Sequence, residues 1–216
     1  MAVAASFALA TGAAAERPSG LYLRGGAGAV FAETLDQSLS YAPTVVGLAT
    51  AKETPFDAGL SWFGAVGFQF AGGTRTELEY KRMTPPFDAV IYSGGPAPNP
   101  AAPFDENFTV QAVMSNVYFD LVNDSRLTPY VGVGVGGARV ENELGERDAA
   151  FAYQGRAGVE VAVSDRLSIG AEYVYFRTLE VVYGPKEFVA GGPAGPRTDG
   201  DPFASSSVLG TVRLMF

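Results

Sequence analysis

The chain has 216 residues, a formal charge of −8 and no basic run, which argues against nucleic acid as a partner. It contains no cysteine and no histidine. That removes disulfides, thiolate chemistry, His-ligated metals and every catalytic triad built on an imidazole, leaving only carboxylate or hydroxyl chemistry.

In chain order, the first element is "MAVAASFALATGAAAE". Residues Val3 to Ala10 are apolar, and Ala13-x-Ala15 fits the small-residue pattern before a signal-peptidase cut. Residues 1–15 are therefore expected to be a signal peptide or its remnant, without the usual basic start, and 16–216 a single domain. No other stretch is long and apolar enough for a transmembrane helix.

Beyond this point the pattern is alternation with period two, and eight strands follow. The first, Leu21–Phe31, sets Leu21, Leu23, Ala27, Ala29 and Phe31 against Arg24, Gly26 and Gly28. The second, Gly59–Phe70, carries Leu60, Trp62, Val66, Phe68 and Phe70 on one face. The third, Thr74–Met83, places Arg75, Glu77, Glu79 and Lys81 together, opposite Leu78 and Tyr80. The fourth, Phe108–Leu121, alternates Val117, Phe119 and Leu121 with Asn116, Tyr118 and Asp120. Its phase breaks near Ala112, which suggests a β-bulge there.

The fifth strand contains "PYVGVGVGGARV". Gly132, Gly134 and Gly137 fit the G-x-G-x-x-G dinucleotide fingerprint, but no helix or βαβ unit surrounds them. The alternating glycines read instead as one inward face with room for long charged side chains from neighbouring strands. The sixth strand, Phe151–Val163, opposes Tyr153, Ala157, Val159 and Val161 to Gln154, Arg156, Gly158 and Glu160. The seventh, Leu167–Arg177, opposes Ile169, Ala171, Tyr173 and Tyr175 to Ser168, Gly170 and Glu172. The eighth, Ser206–Phe216, opposes Val208, Val212, Leu214 and Phe216 to Thr211 and Arg213.

Short links follow the second, fourth and sixth strands. Long links, 32–57, 84–107, 141–150 and 178–205, follow the others. Three of the four exceed 20 residues, are rich in Pro, Gly, Asp and Ser, and read as structureless. Several such loops are rare in a soluble domain. An even strand count with alternating short and long links is the signature of an all-β, eight-stranded, antiparallel up-and-down transmembrane barrel with long extracellular loops. Its apolar face would meet lipid. Its polar face would line the lumen with Arg24, Arg75, Glu77, Glu79, Lys81, Arg156, Glu160, Glu172 and Arg213, closing the bore by ion pairs. Trp62, Phe68, Phe70, Phe119, Tyr173 and Tyr175 would form interfacial aromatic girdles.

The strands "GLYLRGGAGAVF", "TPYVGVGVG", "LSIGAEYVYF" and the terminal "VLGTVRLMF" resemble small eight-stranded outer-membrane β-barrels of the OmpA/OmpX and opacity-protein type. The resemblance spans Gly20–Phe216. It implies location in the bacterial outer membrane with both termini periplasmic, and contact with membrane lipid and lipopolysaccharide. It also implies that Phe216 is the signal read by the barrel-assembly machinery. Enzymes of similar architecture depend on a histidine, so catalysis is not expected, although Ser205 and Ser207 lie near the mouth. The chain stops at the barrel, so a peptidoglycan tether is not implied.

The expected role is structural or surface contact, through loop aromatics such as Tyr41, Phe87, Tyr92, Phe104, Tyr183 and Phe188 that are read equally as loop self-packing. The alternative is a narrow porin or a carrier for small or hydrophobic solutes, which eight strands scarcely leave room for. No cofactor is expected. Asp105, Glu106, Asp199 and Asp201 are loop carboxylates with at most a loose calcium-type donor set.

Overall fold

A computed structural model describes residues 19–41, 47–87, 90–96, 108–121, 123, 125–141, 147–179, 181–183, 197–200 and 202–216. The candidate signal peptide lies outside the described residues. Among them there is no helix.

Eight long strands close into one barrel: β1 (Gly20–Ala32), β4 (Gly59–Gln69), β5 (Thr74–Thr84), β7 (Thr109–Asp120), β8 (Leu127–Glu141), β9 (Arg147–Ala162), β10 (Leu167–Thr178) and β13 (Ala204–Met215). Each pairs antiparallel with its sequence neighbour, and β13 pairs with β1 to complete the ring. Closure leaves no open edge, so every barrel strand finds hydrogen-bond partners on both sides. The tightest connection, Phe70–Gly73, is possible because Gly72 and Gly73 hold φ of +91° and +89°, a region costly for other residues.

The outer face is mainly apolar. Leu23, Leu78, Val133 and Val208 are among the large side chains left exposed there, Val133 at 63%. The inner face is buried over most of its length, and its chemistry changes along the bore. Toward the short turns it is charged. Toward the long loops it is an apolar cluster of Val30, Met83, Val110, Met114, Val140 and Phe176, joined by Phe87, Phe108 and Phe203 from the loops.

This change of chemistry removes the bulge expected near Ala112. The β5–β7 and β7–β8 registers run unbroken through Lys81↔Ala112 and Ala112↔Ala138. The phase looked broken because Val110, Ala112 and Met114 are inward apolar residues, whereas Asn116, Tyr118 and Asp120 on the same face are polar.

The long loops are not structureless. β2 (Leu35–Ser40) and β3 (Ala51–Thr54), both in the first loop, pair as a hairpin. β6 (Ile91–Ser93) from the second loop and β11 (Val181–Tyr183) and β12 (Arg197–Gly200) from the fourth add to it. The result is a five-stranded sheet of order β11-β12-β2-β3-β6. "LDQSLS" carries the period-two signal that builds it: Leu35, Gln37 and Leu39 face in, while Asp36, Ser38 and Ser40 face out. The described residues of the third long link are barrel, since β8 and β9 extend as one hairpin to Glu141↔Arg147.

Candidate functional site

The nine charged side chains anticipated for the lumen all point inward and are buried. Arg24 reaches Glu172 at 2.6 Å, Glu77 at 3.6 Å and Glu160 at 3.5 Å. Arg75 pairs with Glu160 at 3.1 Å, and Arg213 with the same carboxylate at 2.7 Å. Arg156 bridges Glu79 and Glu172. Lys81 sits highest, donating to Gln154 Oε1 at 3.0 Å with its ammonium 5.0 Å from the centre of the Phe176 ring. It marks the seam between the charged layer and the apolar one.

A tenth ionic group, Asp120, completes the set and pairs with Arg75 at 2.8 Å. Arg24, Arg75, Lys81, Arg156 and Arg213 thus face Glu77, Glu79, Asp120, Glu160 and Glu172, and the charges cancel. Cancellation is required here, because an unpaired charge in an enclosed interior costs several kcal/mol, roughly 3–5 when one partner is removed.

Neutral residues absent from the charge-based reading hold this network together. Tyr22 and Tyr118 each donate a hydrogen bond to Glu77 at 2.9 Å, and Tyr130 donates to Glu172 at 2.8 Å. Asn116 and Gln154 both donate to Glu79 at 3.3 Å, and Gln69 accepts from Arg213 at 2.7 Å. The rings also separate the guanidinium groups. Arg75 lies 5.0 Å from the Tyr118 centroid and 4.8 Å from that of Tyr130, and Arg156 lies 4.7 Å from that of Phe63.

The inward glycines prove to have a different use from the one expected. A Cβ at Gly132 would strike the Tyr118 ring, one at Gly67 the Tyr22 ring, one at Gly158 the Tyr130 hydroxyl and one at Gly26 the Phe63 ring. Each glycine is the direct cross-strand partner of the aromatic residue it admits. The glycines therefore seat rings rather than long charged chains. Gly134 likewise receives Asn116. Gly132 and Gly134 face the bore whereas Gly137 is exposed on the outer wall, so the fingerprint glycines share no face and form no phosphate cradle.

Above Lys81 the bore is filled by rings. Phe108 stacks on Phe203 at 5.4 Å with 21° between planes, and Phe56 packs edge-on to both, at 4.9 Å and 6.2 Å. Phe87, at 6.4 Å from Phe56, is one of the loop aromatics singled out from sequence, and it packs inward. Tyr41 and Tyr92 are partly buried. Phe104 and Phe188 lie outside the described residues, and of Tyr183 only the backbone is described.

Phe68, Phe70 and Phe119 stand on the outer face at the short-turn end, with Phe216 beside them at the end of β13. Trp62 lies toward the long loops, 5.7 Å from the Tyr80 ring. Tyr173 is at mid-strand, bonded to Ser206 at 2.7 Å, and Tyr175 is one rung higher. Ser205 and Ser207 are buried. Among the described residues no group of acidic side chains could hold a metal ion. Asp105, Glu106 and Asp201 lie outside those residues, and the side chain of Asp199 is not described.

A closed antiparallel barrel with an apolar exterior and a charged, filled interior defines the class of transmembrane β-barrels. The chain belongs to the outer membrane protein beta-barrel domain family, whose profile matches residues 1–192, and is a protein of the bacterial outer membrane. Among solved structures it is similar to the neisserial surface protein A (16% identity, TM-score 0.53, covering 92% of this chain and 99% of that one). It is also similar to the outer membrane protein OprG from Pseudomonas aeruginosa (12% identity, TM-score 0.55, covering 93% and 98%). At these identities the likeness is one of fold. Comparison with curated protein sequences yields no match.

Proposed function

We infer that this protein is a closed barrel whose role is structural support or surface contact, carried by the sheet and loops at its long-loop end. It neither conducts solute nor catalyses a reaction. One observation carries this reading: the bore is filled twice, by the neutral ionic layer and by the phenylalanine cluster, while three loops converge in an ordered sheet above it. The barrel then serves as a pedestal for that sheet. Both termini and the three short turns face the periplasm in this reading, as the alternation of short and long links favours. Phe68, Phe70 and Phe119 serve as the inner aromatic girdle, Trp62 and Tyr175 belong to the outer one, Tyr173 at mid-strand stands apart from both, and Phe216 is the assembly signal.

Planar-bilayer recording of the refolded protein tests closure, and no steady channel is expected. A large, stable conductance would replace this reading with a narrow porin. Orientation is tested separately with Asp36→Cys, an exposed position in β2 of a chain that has no other cysteine. An impermeant maleimide should label it on intact cells. Labelling only after outer-membrane disruption would reverse the orientation.

A further inference from the structure

The outer wall is not uniformly apolar. Near the long-loop end, three polar side chains form one row across three strands: Arg82 on β5 is in register with Gln111 on β7, and Gln111 with Arg139 on β8. All three point away from the bore, since Lys81, Met83, Val110, Ala112, Ala138 and Val140 are the buried, inward neighbours. Neither arginine makes an ion pair or hydrogen bond among the described residues. Glu141, the next outward residue on β8, is in register with Arg147.

One rung closer to the barrel middle the row reads Tyr80, Val113, Gly137 and Phe151. Gly137 has only open space where a side chain would stand. The wall is notched there, between Val113 and Phe151, which are each 52% exposed. The notch belongs to a trough of about 650 Å³ that includes Tyr80, Gln111 and Arg139 on its border. Two arginines two strands apart are separated at the backbone by roughly 10 Å, and flexible side chains of that length can converge on one group between them.

We propose that this trough is a binding site for one phosphorylated lipid of the outer leaflet. An acyl chain lies in the notch at Gly137 and the headgroup phosphate is held by Arg82, Gln111 and Arg139. The chemistry fits such an amphiphile in both parts. Guanidinium groups grip phosphate in a bidentate fork. The aromatic and glycine-floored trough below them offers contact to hydrocarbon. A cationic pair with no acidic partner among the described residues, at the rim of a lipid-facing wall, is costly unless an anion meets it. The site rests on the proposed orientation, which sets these arginines at the outer leaflet.

The chain's one tryptophan, Trp62, is the cross-strand partner of Arg82, so its fluorescence reports on the site. The full-length protein, refolded in zwitterionic micelles, is titrated with diphosphorylated lipid A and with the fully dephosphorylated lipid. The phosphorylated form should bind at least about tenfold more tightly, the preference shrinking with added salt. Arg82→Gln with Arg139→Gln should abolish that preference. Gly137→Leu, which fills the notch and leaves the charges, should weaken both lipids by about tenfold. Folding of each variant is checked by heat-modifiable gel migration, since none of these positions enters the bore. Equal binding of the two lipids, or an unchanged preference in the double glutamine variant, overturns the proposal. So does displacement by millimolar inorganic phosphate, which would mark a free-phosphate site. Micelle binding is blind to orientation, so failure here is distinct from failure of Asp36→Cys labelling.

Discussion

The two halves of the bore are closed by opposite chemistry. The half near the short turns uses ten ionic groups, nine of them joined in ion pairs and Lys81 linked through Gln154, with tyrosines and amides filling the gaps between them. The half near the long loops uses phenylalanines and methionine, several of them brought in by the loops. The ionic half depends on complete pairing, because desolvated charge is tolerated only when every partner is present. The apolar half depends on volume, and loses contact energy in proportion to what is removed. The first is a specific arrangement and the second a fill, so the same kind of truncation should affect them differently.

The largest effect is expected in the ionic half. Glu172→Ala leaves Arg24 and Arg156 facing each other without the carboxylate that both contact. Chemical unfolding in lipid vesicles should show a loss of roughly 3–5 kcal/mol. A change under 1 kcal/mol would mean that water enters this layer freely. In the apolar half, Phe203→Ala removes a ring packed against Phe56, Phe108 and Phe176, and should cost about 3 kcal/mol. Neither variant alone should conduct in planar bilayers, because the other half still closes the bore. The double variant should. Conductance from a single variant would show that one layer is the sole barrier.

The comparison sharpens when inner and outer faces of one strand are set side by side. Val133→Arg at the middle of β8 puts a charge in lipid and should destabilise by about 2–4 kcal/mol. Equal stability with Asp36→Arg, on the exposed sheet, would show that this wall does not meet lipid. The smallest contrast is between two glycines of the same strand. Gly132→Ala should cost about 1–3 kcal/mol, because its methyl meets the Tyr118 ring. Gly137→Ala points into open space and should stay within about 0.5 kcal/mol of the parent.

Where inside and outside differ in polarity, the alternation could be read directly. Arg75, Glu77, Glu79 and Lys81 against Leu78 and Tyr80 leave one assignment of faces, and β5 takes it. Where the inner face is itself apolar and a polar residue stands on the outer one, as with Gln111 between Val110 and Ala112, period two carries a misleading label, and the reading produced a bulge that the register does not contain. Tyr118 was placed correctly beside Asn116 and Asp120, but Tyr22 and Tyr130 escaped for a related reason. Tyrosine is at home on a lipid-facing girdle as well as in a lumen, so only its phase relative to Arg24 or Asp120 distinguishes the two. In the loops, "LDQSLS" carried a usable pattern, but β6 and β11 are three residues each and too short to show a period.

By itself the sequence determined the number of barrel strands, their inward and outward faces over the charged half, and the alternation of short and long links. These are local properties, written in side-chain period and turn chemistry, and closure of the barrel follows from them. Only the tertiary structure decided which carboxylate meets which guanidinium, which glycine admits which ring, and how three separate loops combine into one sheet. The ion pairs join residues up to 148 positions apart, as in Arg24 with Glu172. Strand tilt and stagger set which side chains share a level in the bore. The same stagger sets Arg82, Gln111 and Arg139 in one row above Gly137, an arrangement that no single strand records.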